Sequence, residues 1–171
     1  MSNQPMARGE EWLEALLRLL KLTAEVKATD NQLPDRDEHS YWLTIDQTKL
    51  TSEHIDILIG SQGTTIDAIQ YLANTILNLE QDQQQQASYT VELNGYRVQR
   101  QAELEAIAAH AAEQVRTTGK EFELKSLSSA ERRQVHTLLK DCEDLKTQSR
   151  GQEPDRRLIV SRRRRIEEMS H

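Results

Sequence analysis

Apolar residues along this chain alternate between helical and strand-like spacing. Trp12, Leu13, Leu16, Leu17 and Leu20 form one stripe, predicting a helix from Glu10 to about Leu22. Its acids come early and Arg18 and Lys21 late, the order that the helix dipole favours. Ala24 to Thr29 reads as a short strand. Tyr41-Trp42-Leu43-Thr44-Ile45 reads as a second, with Tyr41, Leu43 and Ile45 on one face. Asp30 to Ser40, with Pro34 and many acids, is a loop between them. Helical spacing returns at Ile55, Leu58 and Ile59, where Thr51 or Ser52 can cap, and again at Ile66, Ile69, Ala73 and Ile76 as far as about Leu79. The low-complexity run Gln81-Asp82-Gln83-Gln84-Gln85-Gln86 is a loop. Tyr89, Val91 and Leu93 then alternate as a third strand, which Asn94-Gly95 ends.

A long helix is predicted from Arg97 to about Thr117, burying Leu104, Ile107, Ala108, Ala111 and Val115 and stopped by Gly119. Phe122 and Leu124 suggest a strand, and Ser128 or Ser129 an N-cap. The helix from Ala130 to Asp141 then sets Val135, Leu138, Leu139 and Cys142 on one stripe. Gly151 and Pro154 break a loop before a strand at Leu158-Ile159-Val160. The fold class is α/β, of the α+β kind. A domain boundary is expected near 116–121, giving a tail over 1–9, a first domain with the long helix over 10–118, a second domain over 119–165 and a tail over 166–171.

Gly60 and Gly63 stand between the second and third helices. The reading is helix, tight turn, helix: glycine permits the sharp backbone and lets a ligand approach without meeting a Cβ atom. The helix from Thr64 would then point its unpaired N–H groups into the turn, where they suit a phosphate. A plain interhelical turn is the structural alternative. In the second domain, Arg132 and His136 lie one helical turn apart beside the apolar stripe, with Lys140 a turn further on. They can offer a charge and a flat ring to a phosphate and a stacked base. Alternatively Arg132 pairs with a local acid and braces the domain, and His136 is a structural histidine.

Charge changes this picture locally. The net charge of the 171 residues is −6, which by itself speaks against nucleic acid. Residues 1–120 carry 10 Lys/Arg against 18 Asp/Glu, and residues 121–171 carry 12 against 10. Within 145–165 stand Lys146, Arg150, Arg156, Arg157 and Arg162 to Arg165 against Glu153 and Asp155, a basic footprint. The Arg run can also be a solvated tail. Cys142 is the only cysteine, so an intrachain disulfide and a Cys-rich zinc site are excluded. No apolar run reaches the roughly 20 residues of a membrane span, and Met1 to Gly9 lacks the apolar core of a signal peptide. The five histidines lie far apart and no nucleotide-loop or nucleophile motif is present. No enzyme, metal or cofactor is expected, and the compartment expected is the cytoplasm.

The order α-β-β-α-Gly-x-x-Gly-α-β resembles a KH domain of the type II topology. The resemblance implies that Gly60, Ser61, Gln62, Gly63 and Thr64 clamp the backbone of about four nucleotides of single-stranded nucleic acid. Phe122-Glu123-Leu124, Arg132-x-x-x-His136 and the segment Thr147 to Val160, with its polar turn and its Arg156-Arg157 pair, are similar to the small domain named for its Arg-x-x-x-His signature (R-3-H). That likeness implies contacts from Arg132, Arg133, His136, Lys140, Arg156 and Arg157. Together the two regions resemble the bacterial Jag (SpoIIIJ-associated, KhpB) family over roughly residues 10–165. The family implies a cytoplasmic single-stranded RNA binder in post-transcriptional control of cell envelope or division, often with a small KH-only partner protein. Two departures are noted. Ser61-Gln62 stands where the family loop usually carries a basic residue, and the chain is expected to lack the separate N-terminal Jag domain. The alternatives are a protein-interaction scaffold with a degenerate loop, and a single-stranded DNA binder.

Overall fold

The computed structural model describes residues 4–30 and 39–163. Contacts divide the chain into two units, residues 1–97 and 98–171. The first contains α1 (Gln4–Leu19), β1 (Val26–Asp30), β2 (His39–Ile45), α2 (Ser52–Ile59), a 3-10 turn (Ser61–Gly63), α3 (Thr64–Asn78), a second 3-10 turn (Gln83–Gln85) and β3 (Ala87–Leu93). This is the helix and strand order read from the periodicity. The sheet order is β1-β2-β3, with β1 antiparallel and β3 parallel to β2. Tyr41, Leu43 and Ile45 pair in register with Tyr89, Val91 and Leu93, so both strands present one apolar face. On it pack Leu13 and Leu17 of α1 and Ile66, Ile69, Ala73 and Leu77 of α3.

Side chains close both edges of this sheet. On α3, Asn74 donates to Tyr89 O (2.7 Å) and accepts from Tyr89 N (2.8 Å). Asn78 does the same with Ala87, at 2.8 and 2.9 Å. Gln70 accepts from Val91 N at 3.0 Å, and Arg97 Nε donates to Val91 O at 3.1 Å. On the opposite edge, Glu10 and Glu14 of α1 accept from Ala28 N and Val26 N, at 2.7 and 3.0 Å. Residues four apart on a helix thus serve residues two apart on a strand.

Several expectations are corrected here. Helix α1 begins at Gln4, so residues 4–9 are not a tail. Gly9 is buried, and a Cβ on it would stand 2.7 Å from Leu43 Cδ2, which makes it the close crossing of helix and sheet. Tyr89 Oη donates to Pro5 O at 3.0 Å and holds the first turn. Ile76 is 43% exposed and Leu77 takes the core position expected of it; Leu20 is exposed too. Residues 31–38 of the expected acidic loop, the expected tail 166–171, and Arg164 and Arg165 lie outside the described residues.

The second unit contains nearly all of α4 (Tyr96–Thr118), then β4 (Phe122–Leu124), α5 (Ser129–Leu139), β5 (Leu145–Arg150) and β6 (Arg157–Arg162), with an antiparallel sheet ordered β4-β6-β5. The boundary is expected near 116–121, whereas contacts divide the chain after Arg97. The reason is α4's apolar stripe: Leu104, Ala108, Ala111, Ala112 and Val115 pack with Leu124, Val135, Leu139, Leu145, Leu158 and Val160. Strand β5 has the sequence pattern of a polar turn, because Lys146, Gln148 and Arg150 face solvent and only Leu145 is buried in it. Leu138 is 38% exposed, off the stripe expected of it, whereas Cys142 packs at the margin of the core as read.

Asn74→Ala removes both partners of Tyr89's backbone groups at a partly buried edge. The expected cost is about 2 kcal/mol, measured by urea denaturation, together with faster hydrogen exchange at the Tyr89 amide.

Candidate nucleic-acid interface

In the first unit, α2 starts with a capping box in which histidine replaces the usual acid. Thr51 Oγ1 accepts from His54 N at 3.2 Å, and His54 Nδ1 accepts from Thr51 N at 3.4 Å. Gly60, at φ 74°, ends α2 with its N–H on Asp56 O at 2.8 Å. Gln62 (φ 53°) and Gly63 (φ 76°) are both left-handed, and α3 follows at once. The helix–turn–helix is therefore present as read, but the glycines answer to a different need. A Cβ on Gly63 would collide with the Tyr96 hydroxyl, and one on Gly60 with the Thr65 side chain. They serve the protein's own packing, whereas Ser61, Gln62 and Thr64 are exposed.

The N–H groups expected to receive an anion are partly used. Gly63 N donates to Gly60 O at 3.2 Å, and Thr64 N to Ser61 O. No side chain caps α3. Asp67 sits in its first turn and is paired with Arg97 Nη1 at 2.6 Å. This turn offers polar side chains and a helix terminus, and its own residues 60–64 include no cation.

In the second unit, α5 is set by a capping box. Glu131 N donates to Ser128 Oγ at 3.2 Å, Ser128 N donates to Glu131 Oε2 at 2.9 Å, and Arg100 Nε of α4 donates to Glu131 Oε1 at 2.7 Å. Arg132 and His136 then face the hairpin of β5 and β6. Arg132 is only 5% exposed. Its Nη1 donates to Leu127 O at 2.6 Å and to Arg156 O at 3.2 Å, and its Nη2 meets Glu153 Oε1. The guanidinium of the Arg-x-x-x-His pair thus braces three segments, the structural alternative weighed for it. His136 is exposed, with Nδ1 on Thr147 Oγ1.

These side chains line an open pocket of about 340 Å³. Arg132, Arg133, His136 and Arg156 are joined there by Ser129, Thr147, Ser149, Glu153 and Leu158. Arg156 Nε donates to Ser149 Oγ at 3.1 Å. Among the described residues no carboxylate pairs with Arg133 or Arg156, whereas Arg100, Arg116, Arg150 and Arg157 all have one. Lys140, just past the end of α5, and Arg157 do not line the pocket. Arg157 points to the opposite face of β6 and pairs with Glu123 at 2.8 Å. Thr147, Ser149 and Glu153 were not singled out from the sequence. The alternation of short hydroxyl and long polar side chains from Lys146 to Arg150 was the available signal for the strand that presents the first two.

The chemistry of the second unit's pocket is three guanidiniums, an imidazole and hydroxyls against one carboxylate. That set can hold phosphate oxygens bidentately and stack a flat ring. Among the described residues no group of His, Cys, Asp or Glu could hold a metal ion, and no helix is long and apolar enough to cross a membrane.

Gly63→Ala should cost about 2–4 kcal/mol from the left-handed backbone and the clash with Tyr96, seen in urea denaturation with no nucleic acid present. Arg132→Ala should cost about 2–3 kcal/mol by leaving buried carbonyls unpaired, whereas His136→Ala should stay within about 0.5 kcal/mol. Thermal denaturation of both variants checks this.

Comparison with known proteins bears on this geometry. Residues 102–162 match the R-3-H domain family, a span that begins inside α4. The chain is 32% identical over 115 residues to "RNA-binding protein KhpB" of Clostridium symbiosum, covering 67% of this chain and 51% of that protein. It is 32% identical over 117 residues to the protein of that name from Bacillus subtilis, covering 67% and 55%. For that of Lactiplantibacillus plantarum the figures are 29% over 154 residues, covering 90% and 44%. The chain spans about half the length of the curated relatives it matches. It carries an R-3-H domain across its second unit and is a homologue of the KhpB proteins of the Jag family.

Proposed function

We propose that this chain binds single-stranded RNA, with its principal contact at the pocket between α5 and the β5–β6 hairpin. The observation that carries the reading is the meeting of His136 with Arg133 and Arg156, two exposed guanidiniums without a carboxylate partner among the described residues. Phosphate oxygens would lie on Arg133 and Arg156, and a base would stack at the His136 ring. Arg132 holds the wall of the pocket. Lys140 and Arg157, outside it, would add to the surrounding positive field and touch no bound nucleotide.

The first unit is read as a type II KH domain, supported by its element order and its mixed sheet. Gly60, Ser61, Gln62, Gly63 and Thr64 would follow the sugar-phosphate backbone through hydroxyl, amide and main-chain groups, a weaker contact than one with a lysine in the loop. Two weak sites on one chain act together through effective concentration. The relatives' name supports RNA binding alone; the family resemblance alone supports the wider role we propose, that of a cytoplasmic protein of post-transcriptional control, linked to envelope or division, with a small KH-only partner. The second reading, a protein-interaction scaffold, has one observation in its favour. Tyr71, Leu72 and Ile76 of α3, with Leu79 just past its end, leave apolar side chains exposed along this helix.

Fluorescence anisotropy of a mixed-sequence 12-nucleotide RNA, at about 50 and 200 mM salt, tests the RNA reading. Contact with about four phosphates gives a log–log salt slope near −3, at about −0.7 per phosphate. Arg133→Ala/Arg156→Ala should weaken binding and flatten that slope by about 1.4. No binding of the unaltered protein at about 50 mM salt overturns the reading and favours the scaffold. The same RNA sequence as single-stranded DNA separates the two nucleic acids.

A further inference from the structure

Glu153 is the one carboxylate among the residues that line the pocket, and it lies on the least suitable partner for a ligand-binding site, the guanidinium of Arg132. The two differ sharply in surroundings. The Arg132 side chain is 6% exposed and fixed by two backbone carbonyls, whereas the Glu153 side chain is 58% exposed and stands on the β5–β6 connection. The described residues give Glu153 no second hydrogen bond or ion pair. A buried guanidinium needs an anion against it, because an unpaired buried charge is costly. Glu153 supplies that anion from the solvent side, in the pocket where Arg133 and Arg156 have none.

A carboxylate and a phosphodiester offer a guanidinium the same pair of acceptor oxygens. We propose that Glu153 is an exchangeable counter-ion, which occupies Arg132 in the free protein and is displaced by a phosphate of the bound RNA. This deepens the RNA reading and rests on it. Arg132 is then both brace and contact: Nη1 keeps its two carbonyls, while Nη2 passes from Glu153 to the phosphate. The exchange sets a threshold. An isolated anion gains only what it takes from the carboxylate, whereas a strand that also engages Arg133 and Arg156 gains the difference. Glu153 thereby selects for a phosphate chain over a single small anion.

Glu153→Gln tests this, since the amide keeps the size and one acceptor oxygen toward Arg132 and removes the charge. Anisotropy with the 12-nucleotide RNA at about 50 mM salt should read binding about three- to tenfold tighter than for the unaltered protein. Inorganic phosphate, used as a competitor, should displace RNA from the variant no less readily than from the unaltered protein. Glu153→Ala should bind at least as tightly as the unaltered chain when measured well below its melting temperature. RNA bound equally or more weakly by Glu153→Gln, with a lowered melting temperature, overturns the exchange and makes Glu153 a purely structural partner. Failure of the unaltered protein and both variants to bind overturns the RNA reading itself, so the two failures are distinguishable.

Discussion

The first unit depends on a match of pitch between a helix and the open edge of a strand. Four residues of α-helix advance about 6 Å and two residues of strand about 6.6 Å. Gln70, Asn74 and Asn78 therefore stay in step with Val91, Tyr89 and Ala87, and flexible side chains absorb the small drift. An amide both donates and accepts, so each asparagine satisfies the two backbone groups that a missing neighbour strand would have taken. The same geometry uses carboxylates at β1, where Glu10 and Glu14 can serve only the N–H groups. With its edge closed, β3 is unavailable for pairing with another chain. With α3 locked along β3, the turn that precedes it is held at one place relative to the sheet. Arg97 joins both, bonding Val91 O, Gln70 and Asp67.

The second unit solves a similar problem with one guanidinium. Arg132 satisfies the carbonyls of Leu127 and Arg156 and meets Glu153, tying the approach to α5, the start of β6 and the connection before it. Its helix is fixed independently by Ser128, Glu131 and Arg100. This leaves the two residues of the Arg-x-x-x-His pair with unlike duties: the arginine builds the wall, and the histidine, one turn on, looks out from it. The pocket's guanidiniums that have no carboxylate partner among the described residues are the neighbours, Arg133 and Arg156.

Most of the element order was legible because each core element carries its own periodicity. Thr51, Ser128 and the Gly60–Gly63 turn were legible for the same local reason. The misreadings share a cause as well. Gly9 reads as an ending, yet it is the crossing point that lets α1 lie against Leu43. Strand β5 reads as a turn, because a polar edge strand buries one leucine and borrows its hydrogen bonds from β6. The long helix reads as the end of the first domain, because a stripe of leucine and alanine does not say which core it covers. Ile76 and Leu138 sit one position from the true stripe, where periodicity alone cannot separate a buried neighbour from an exposed one.

By itself the sequence determined the α+β class, the succession of helices and strands except β5, and the residue types from which a phosphate site could be made. Those properties are written in spacing, capping and charge within a dozen residues of one another. Only the tertiary structure decided the place of each candidate: that Arg132 braces two carbonyls and meets Glu153, that Arg157 faces away, and that Thr147, Ser149 and Glu153 complete the pocket. Burial and hydrogen-bond partners are set by residues about ten to thirty positions distant, brought together when the β5–β6 hairpin closes over α5. No local pattern carries that information.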